Sequence, residues 1–337
     1  MKSLVKGLPR SSQQLNRLFT ADCEILRVAN SYICCSTDSL AEEIDIGLYR
    51  DPFTWGWMTV ASNVSDLAAT GAKPLGLLIA NQWCYGTSKK IKDRYFSGVR
   101  SALKKMQVPL LGGDSGSAHL HSHAGTIIGT SRRKPLTRLG VKPGDYAIVL
   151  GKRRGGLGPS LAFQLLFKKT SSLKLENEFR PSPNLKLATK LFLYAKASID
   201  SSDGIATSLD TIGQLNGVGF SLDWNHRWAS PLALKFCQSA GLHPVMLMMG
   251  DHGDFQTLFF VSGANLKKIS KLTNDFCVLG RATKGRDINL NFEGLELRLP
   301  TEKVVQCARE TKAIYRAALE MNNFLLKETK VKELNLR

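Results

Sequence analysis

Several aspartates in this 337-residue chain stand beside small or hydroxyl-bearing residues: Thr37-Asp38, Ser65-Asp66, Gly113-Asp114-Ser115 and Ser202-Asp203-Gly204. An Asp next to Gly or Ser ordinarily caps a turn or a helix. Ser65-Asp66 departs from that rule, because it lies inside an Ala-rich apolar stretch where an unpaired carboxylate costs several kcal/mol of desolvation. Such a group requires a cation or hydrogen-bond donors. Several carboxylates together suit Mg²⁺, a hard ion that takes oxygen ligands and keeps waters and substrate phosphates in its shell.

Other residue types offer less. His119, His121 and His123 alternate, so a strand would set all three on one face, open to Zn²⁺. No Cys or Glu completes that set, which favours a partly exposed strand at an interface. His252, beside Asp251, is either a phosphate contact or a loop residue. The seven cysteines form no C-x-x-C pair, and Cys23 has no evident base in sequence, so reduced thiols with no chemistry are expected. A Walker loop, G-x-S-x-G, H-E-x-x-H and a Rossmann G-x-G-x-x-G are all missing.

The elements that must hold these residues can be read from periodicity. Residues 23–38 read as a hairpin turning at Asn30-Ser31, residues 54–72 as a buried helix stopped by Gly71, and residues 75–81 as a strand. A helix follows at 88–106, then a short strand at 108–111 ending in Gly112-Gly113-Asp114, and another strand at 119–129. The turn Lys142-Pro143-Gly144-Asp145 precedes a strand at 146–150. Helices are expected at 158–168, 185–197 and 204–215, a polar loop at 170–183, and strands near 218–222, 256–261 and 276–280. The tail from 301 to 327 places Val304, Ala308, Tyr315, Ala318 and Leu325 on one face of an amphipathic helix. Strands and helices mix without strict alternation, which favours α+β over a doubly wound sheet. The boundaries expected are 1–138, 139–300 and a helical extension at 301–337.

At 43% hydrophobic and 22% charged residues the chain is an ordinary folded protein, neither disordered nor fibrous. No apolar run reaches a membrane span and no secretory signal follows Met1, so a cytoplasmic location away from membranes is expected. The formal net charge of +18 attracts anions. Its basic clusters, such as Arg132-Arg133-Lys134, lack interleaved aromatics, so phosphorylated metabolites are preferred over nucleic acid as partners.

The stretch Asn63-Val64-Ser65-Asp66-Leu67-Ala68-Ala69-Thr70-Gly71-Ala72-Lys73-Pro74 resembles the N-x-S-D-x-A-A-x-G-A-x-P signature of the thiamine-monophosphate kinases, in the superfamily of aminoimidazole ribonucleotide synthetase. Further landmarks follow in that family's order over about residues 20–300: Thr37-Asp38, Gly112-Gly113-Asp114, Arg138 before Gly140-Val141-Lys142-Pro143-Gly144-Asp145, Asp200-Ser201-Ser202-Asp203-Gly204, and Gly253-Asp254-Phe255-Gln256. The resemblance implies a two-domain α+β fold whose N-terminal domains pair into a shared β-barrel, making a homodimer. It implies Mg²⁺-dependent transfer of the ATP γ-phosphoryl group to thiamine monophosphate. Asp22, Asp38, Asp66, Asp114 and Asp203 would hold Mg²⁺, with Asp203 and Arg138 acting on the phosphates. Thr37, Gly112, Gly113 and Asp114 would contact the nucleotide.

Some positions depart from the pattern. The family's G-D-D-A-A is here Thr20-Ala21-Asp22-Cys23-Glu24, and its G-G-E-D-Y-E is Asp251-His252-Gly253-Asp254-Phe255-Gln256. The terminal segment that places an aromatic residue against the thiamine ring is replaced by the helix after Pro300. Two alternatives follow: an ATP-dependent enzyme of the same superfamily with another small acceptor, and a catalytically silent nucleotide-binding relative.

Overall fold

The computed structural model describes residues 7–151, 155–167, 174–224, 228–250, 252–299 and 311–329. Strands β1 (Glu24–Val28) and β2 (Ser31–Ser39) form the expected hairpin, with the turn at Ala29-Asn30. After a short helix α1 (Ala41–Asp45), Asp51 caps α2 (Pro52–Thr70) by accepting a hydrogen bond from Phe53 N, and Pro52 supplies the preset first turn. Gly71 ends the helix in the left-handed conformation, at φ 75°. From Thr54 to Thr70 every residue of α2 is buried except Asp66. A helix apolar all round must be covered all round. It packs on β2 and on β5 (Ser122–Ser131) on one side, on α3 (Lys89–Met106) on another, and on α6 (Leu185–Leu191), β7 (Ala197–Asp200) and β9 (Thr257–Val261) on the third. The α2–α3 crossing is backbone to backbone: a Cβ on Gly56 would lie 2.0 Å from Tyr95 O, and one on Gly98 2.1 Å from Phe53 O.

The first sheet has the order β1-β2-β5-β3-β4, with β3 at Lys73–Cys84 and β4 at Leu110–Ala118. Its rows of paired residues decide which side chains meet α2. The row Asp38, Gly125, Ile79, Gly113 includes Ile79, 4% exposed, and Gly125, where a Cβ would strike Asn63 of α2. The neighbouring rows, Thr37-Thr126-Leu78-Gly112 and Ser39-Ala124-Ala80-Asp114, carry the exposed Leu78 and Ala80 and hence the opposite face. β3–β4 pair in parallel and the sheet has open edges, so one chain makes no closed barrel.

The second sheet has the order β12-β11-β8-β10-β6-β9-β7, with β6 at Tyr146–Leu150, β8 at Val218–Asp223, β10 at Phe276–Lys284, β11 at Ile288–Phe292 and β12 at Leu295–Arg298. Helices α4 (Leu157–Leu166), α5 (Leu175–Glu178), α7 (Ile205–Asn216), α8 (Pro231–Ala240) and α9 (Gly263–Leu272) surround it. The mixed α+β architecture agrees with the sequence reading.

Details differ. The helix expected over 185–197 stops at Leu191, continues as one 3-10 turn at Phe192–Tyr194, and gives way to β7, whose four residues are all buried. Gly112-Gly113-Asp114 lies inside β4 rather than ending it. Helices α8 and α9 and strands β11 and β12 were not expected. The tail helix α10 (Thr311–Thr329) buries Ala318, Met321 and Leu325, and Asn322 Oδ1 accepts from His243 N at 2.8 Å. Val304, Ala308 and the rest of 301–310 lie outside the described residues.

Candidate active site

Where α2 meets β7, the carboxylates of Asp22, Asp66 and Asp200 converge, with one oxygen of each within 4.8 Å of the others. Each comes from a different element: Asp22 from the bend before β1, Asp66 from the last turns of α2, Asp200 from the end of β7. Hydroxyls fix their orientation. Ser65 Oγ donates to Asp200 Oδ2 at 2.6 Å, Ser202 Oγ to Asp200 Oδ1 at 2.9 Å, and Ser36 Oγ to Asp66 Oδ2.

Burial, then the charges of Asp200, Asp38 and Asp22, hold the Asp66 carboxyl well above the ordinary range, against the hydrogen bond from Ser36. Burial and Asp22 likewise push Asp200 up to about 7, and burial, Asp203 and Asp22 raise Asp38. Like charges in a recessed site resist ionising together. Arg138 is the cation that answers them: its Nη2 donates to Asp22 Oδ1 at 2.9 Å and its Nη1 to Phe19 O at 3.4 Å. Burial works against its charge, but Asp22, Asp200 and Asp66 outweigh that and hold it protonated. One guanidinium does not suffice to let three converging carboxylates ionise together, and the donors are all oxygen, so the set fits a hard divalent cation that would favour their charged forms.

The expected residues thus divide. Asp22 and Asp66 meet, Asp38 and the exposed Asp203 lie close enough to raise their neighbours, and Arg138 is engaged with Asp22. Asp38 N also donates to Asn63 Oδ1 at 3.2 Å. Asp114 does not join them; it is exposed and pairs with Ala80 on the far face of the sheet. Thr37 shares that face, where its hydroxyl donates to Gly125 O at 2.8 Å. A Cβ on Gly113 would lie 1.8 Å from Ile79 O, so close strand packing accounts for glycine there.

Asp200 was missed as a ligand. Its signal was present: an Asp ending the run Ala197-Ser198-Ile199, with hydroxyl residues after it.

The histidines do not converge as a metal site. His121 and His123 do share a side, their rings 5.9 Å apart against Trp55 and Trp83, but His123 is fully buried with its Nδ1 3.0 Å from Asn81 Oδ1, and His119 turns away to pack on Tyr85. Burial drives His123 down to about 3 and His252 down to about 4. His252 is buried among aromatic side chains. Its Nε2 and the Tyr49 hydroxyl share a hydrogen bond of 2.9 Å, with Phe179 and Phe255 around the ring.

Residues 20–131 match the family described as AIR synthase related protein, N-terminal domain. The thiamine-monophosphate kinase of Rhodopirellula baltica is 30% identical over 235 residues, 67% of this chain and 67% of that protein. The chain belongs to the thiamine-monophosphate kinase family. The kinase of Pyrococcus horikoshii is 26% identical, covering 85% of this chain and 89% of its own. The solved structure of AaThiL complexed with AMPPCP and TMP shares the fold at TM-score 0.70 and 22% identity, over 84% of this chain and 90% of that one. The HypE-HypF complex shares it at TM-score 0.71 and 18% identity, over 88% and 97%. Within this family fold, the thiamine-monophosphate kinase pattern G-G-E-D-Y-E is altered in a way the packing explains. A Cβ on Gly253 would lie 1.7 Å from Ser201 O and 2.6 Å from Gly204 N. No side chain fits where the family carries Glu.

Proposed function

We propose that this protein transfers the γ-phosphoryl group of ATP to the phosphate of thiamine monophosphate, giving thiamine diphosphate. The observation that carries the reading is the recessed Asp22-Asp66-Asp200 cluster, built on the family's own signature helix. Asp22, Asp66 and Asp200 would hold Mg²⁺, with Asp38 and Asp203 beside them. When bound, Mg²⁺ neutralises and aligns phosphate oxygens for in-line transfer. The chain's own residues prepare that site. Arg138 fixes Asp22, Ser65 and Ser202 aim both oxygens of Asp200, and Ser36 holds Asp66. Preset donors of this kind cost no reorganisation during the reaction.

The exposed face of the first sheet supports a homodimer, in which two such faces would close a barrel. It carries Leu78 at 38% exposure, and β4 adds Leu110 and Leu111 at 53% and 50%. Exposed leucines beside an open strand edge call for a cover. Thr37, Gly112 and Asp114 lie on that face or its edge strand, so their proposed part in nucleotide and metal binding belongs to the dimer. Each sheet falls within one of the domains proposed at 1–138 and 139–300, with 301–337 as the extension. Free thiols at all described cysteines and the use of ATP accord with the cytoplasm; among the described residues no helix is long and apolar enough to cross a membrane.

Gly253 favours a second reading, the same transfer to a different phosphate monoester. The test is ADP release from ATP and Mg²⁺ with thiamine monophosphate and with a panel of other monoesters. Release with thiamine monophosphate supports the first reading, release with another monoester alone supports the second, and nucleotide binding without release identifies a silent relative.

A further inference from the structure

Asp200 ends β7, and the chain then turns through 201–204, the stretch that carries Ser202 and Asp203. Ser202 is held at both ends. Its hydroxyl donates to Asp200 Oδ1 at 2.9 Å, and its carbonyl accepts from Gly253 N at 2.6 Å. The same turn is tied twice more to the segment 252–256, since Ser201 N donates to Gln256 O at 2.8 Å and Gln256 N to Ser201 Oγ at 2.9 Å. Packing leaves no play, because a Cβ on Gly253 would lie 1.7 Å from Ser201 O. The place of 252–256 therefore decides the place of Ser202.

That segment is gripped from the other half of the molecule. His252, 9% exposed, precedes Gly253, and its Nε2 shares a hydrogen bond of 2.9 Å with the hydroxyl of Tyr49, which is 1% exposed. Tyr49 is itself pinned: its carbonyl accepts from Trp55 Nε1 at 2.8 Å, and its ring stacks on Phe179 with centroids 6.1 Å apart. The next two amides, Arg50 N and Asp51 N, donate to Glu176 Oε1 at 3.0 and 2.8 Å. Asp51 caps α2, the helix that carries Asp66. The connection ahead of α2 thus reaches the carboxylates by two routes, through α2 to Asp66 and through His252, Gly253 and Ser202 to Asp200. His252 stands where the family pattern has its second glycine, so the second route is this chain's own.

We infer that Tyr49 and His252 are positioning residues for the metal site: their hydrogen bond fixes Gly253 and, through it, the Ser202 hydroxyl that aims Asp200. Groups that orient a metal's ligands are part of its affinity, and losing one that touches a ligand directly costs about 10- to 100-fold. Tyr49 acts through intervening residues, so a smaller effect is expected. The inference rests on the reading of Asp22, Asp66 and Asp200 as metal ligands.

The test is calorimetric titration of Mg²⁺ into the full chain, with melting scans in the absence of divalent cation. Wild type is compared with Tyr49→Phe and with the double variant Tyr49→Phe, His252→Phe. Tyr49→Phe should lower the metal-free melting temperature and weaken Mg²⁺ binding about three- to tenfold. The double variant removes both polar partners and keeps two rings, so it should regain most of the melting temperature. Its Mg²⁺ affinity should stay weakened. A merely structural contact predicts that affinity recovers with stability, and that result would overturn the inference, as would wild-type affinity in both variants. No Mg²⁺ binding by wild type would overturn the metal reading and the inference with it. Failure of the kinase reading looks different: the Mg²⁺ pattern stands and supports the inference, while no thiamine-monophosphate-dependent ADP forms.

Discussion

Asp66 is the single carboxylate on a helix otherwise buried from Thr54 to Thr70, and burial with the carboxylates of Asp200, Asp38 and Asp22 opposes its ionisation, against one hydrogen bond from Ser36. Asn keeps its size and loses that charge. If metal ligation contributes about 3 to 4 kcal/mol to the transition state, Asp66→Asn should slow turnover on the order of a hundredfold to a thousandfold. The same change should raise the melting temperature of the metal-free protein by relieving like-charge repulsion; a fall in melting temperature with normal turnover would mark Asp66 as structural. Asp200 adds a pH dependence. Its folded-state value of about 7 lies above the ordinary 3.8, so its contribution to stability is present below roughly pH 4 and is lost as pH rises through 7. Melting scans without divalent cation should decline across that window, and Mg²⁺ at saturating concentration should reverse the decline. A flat profile would contradict the burial and the repulsion from Asp22 that raise it. Asp66 was legible in sequence because a carboxylate inside an apolar period has no ordinary explanation. Asp200 stood in a family landmark but its ligand role did not stand out, because its strand is four residues long and follows a helix and a 3-10 turn whose apolar pattern runs into it.

At the level of elements, long segments with a cap at each end read correctly. Ser88 and Gln107 bound α3, and Asp51 and Gly71 bound α2, within two residues of expectation. The short buried strands carried no such punctuation; α8 did, with Ser230-Pro231 at its start and Gly241 at its end, and α9 with Ser262, but both are only ten residues long, and Gly112-Gly113-Asp114 read as a strand end because glycines usually mark turns. Here a glycine is needed because β4 runs against Ile79 O. The hydrogen bond between Tyr49 and His252 joins the connection ahead of α2 to the loop that packs on Ser201 and Gly204. Tyr49→Phe removes one partner and strands a buried imidazole nitrogen, at about 1 to 3 kcal/mol. A melting temperature lowered by several degrees is expected; an unchanged one would mean that the contact is not made in solution.

Across the whole molecule, two halves of opposite task meet at α2: the first sheet turns one face to the helix and leaves the other exposed, while the second sheet brings Asp200 to the helix. Sedimentation should find a dimer at micromolar concentration, and Leu78→Lys, on the exposed face, should give a monomer that keeps its fold. A wild-type monomer would remove the proposed interface. The +18 charge is read as attraction for phosphorylated ligands. The central claim is phosphoryl transfer to thiamine monophosphate, and the direct measurement uses ATP labelled at the γ-phosphate, with Mg²⁺ and thiamine monophosphate, followed by mass analysis of the products. The label should appear in thiamine diphosphate, in equal amount to the ADP formed. ATP left intact, or label released only as inorganic phosphate with thiamine monophosphate unchanged, would contradict it.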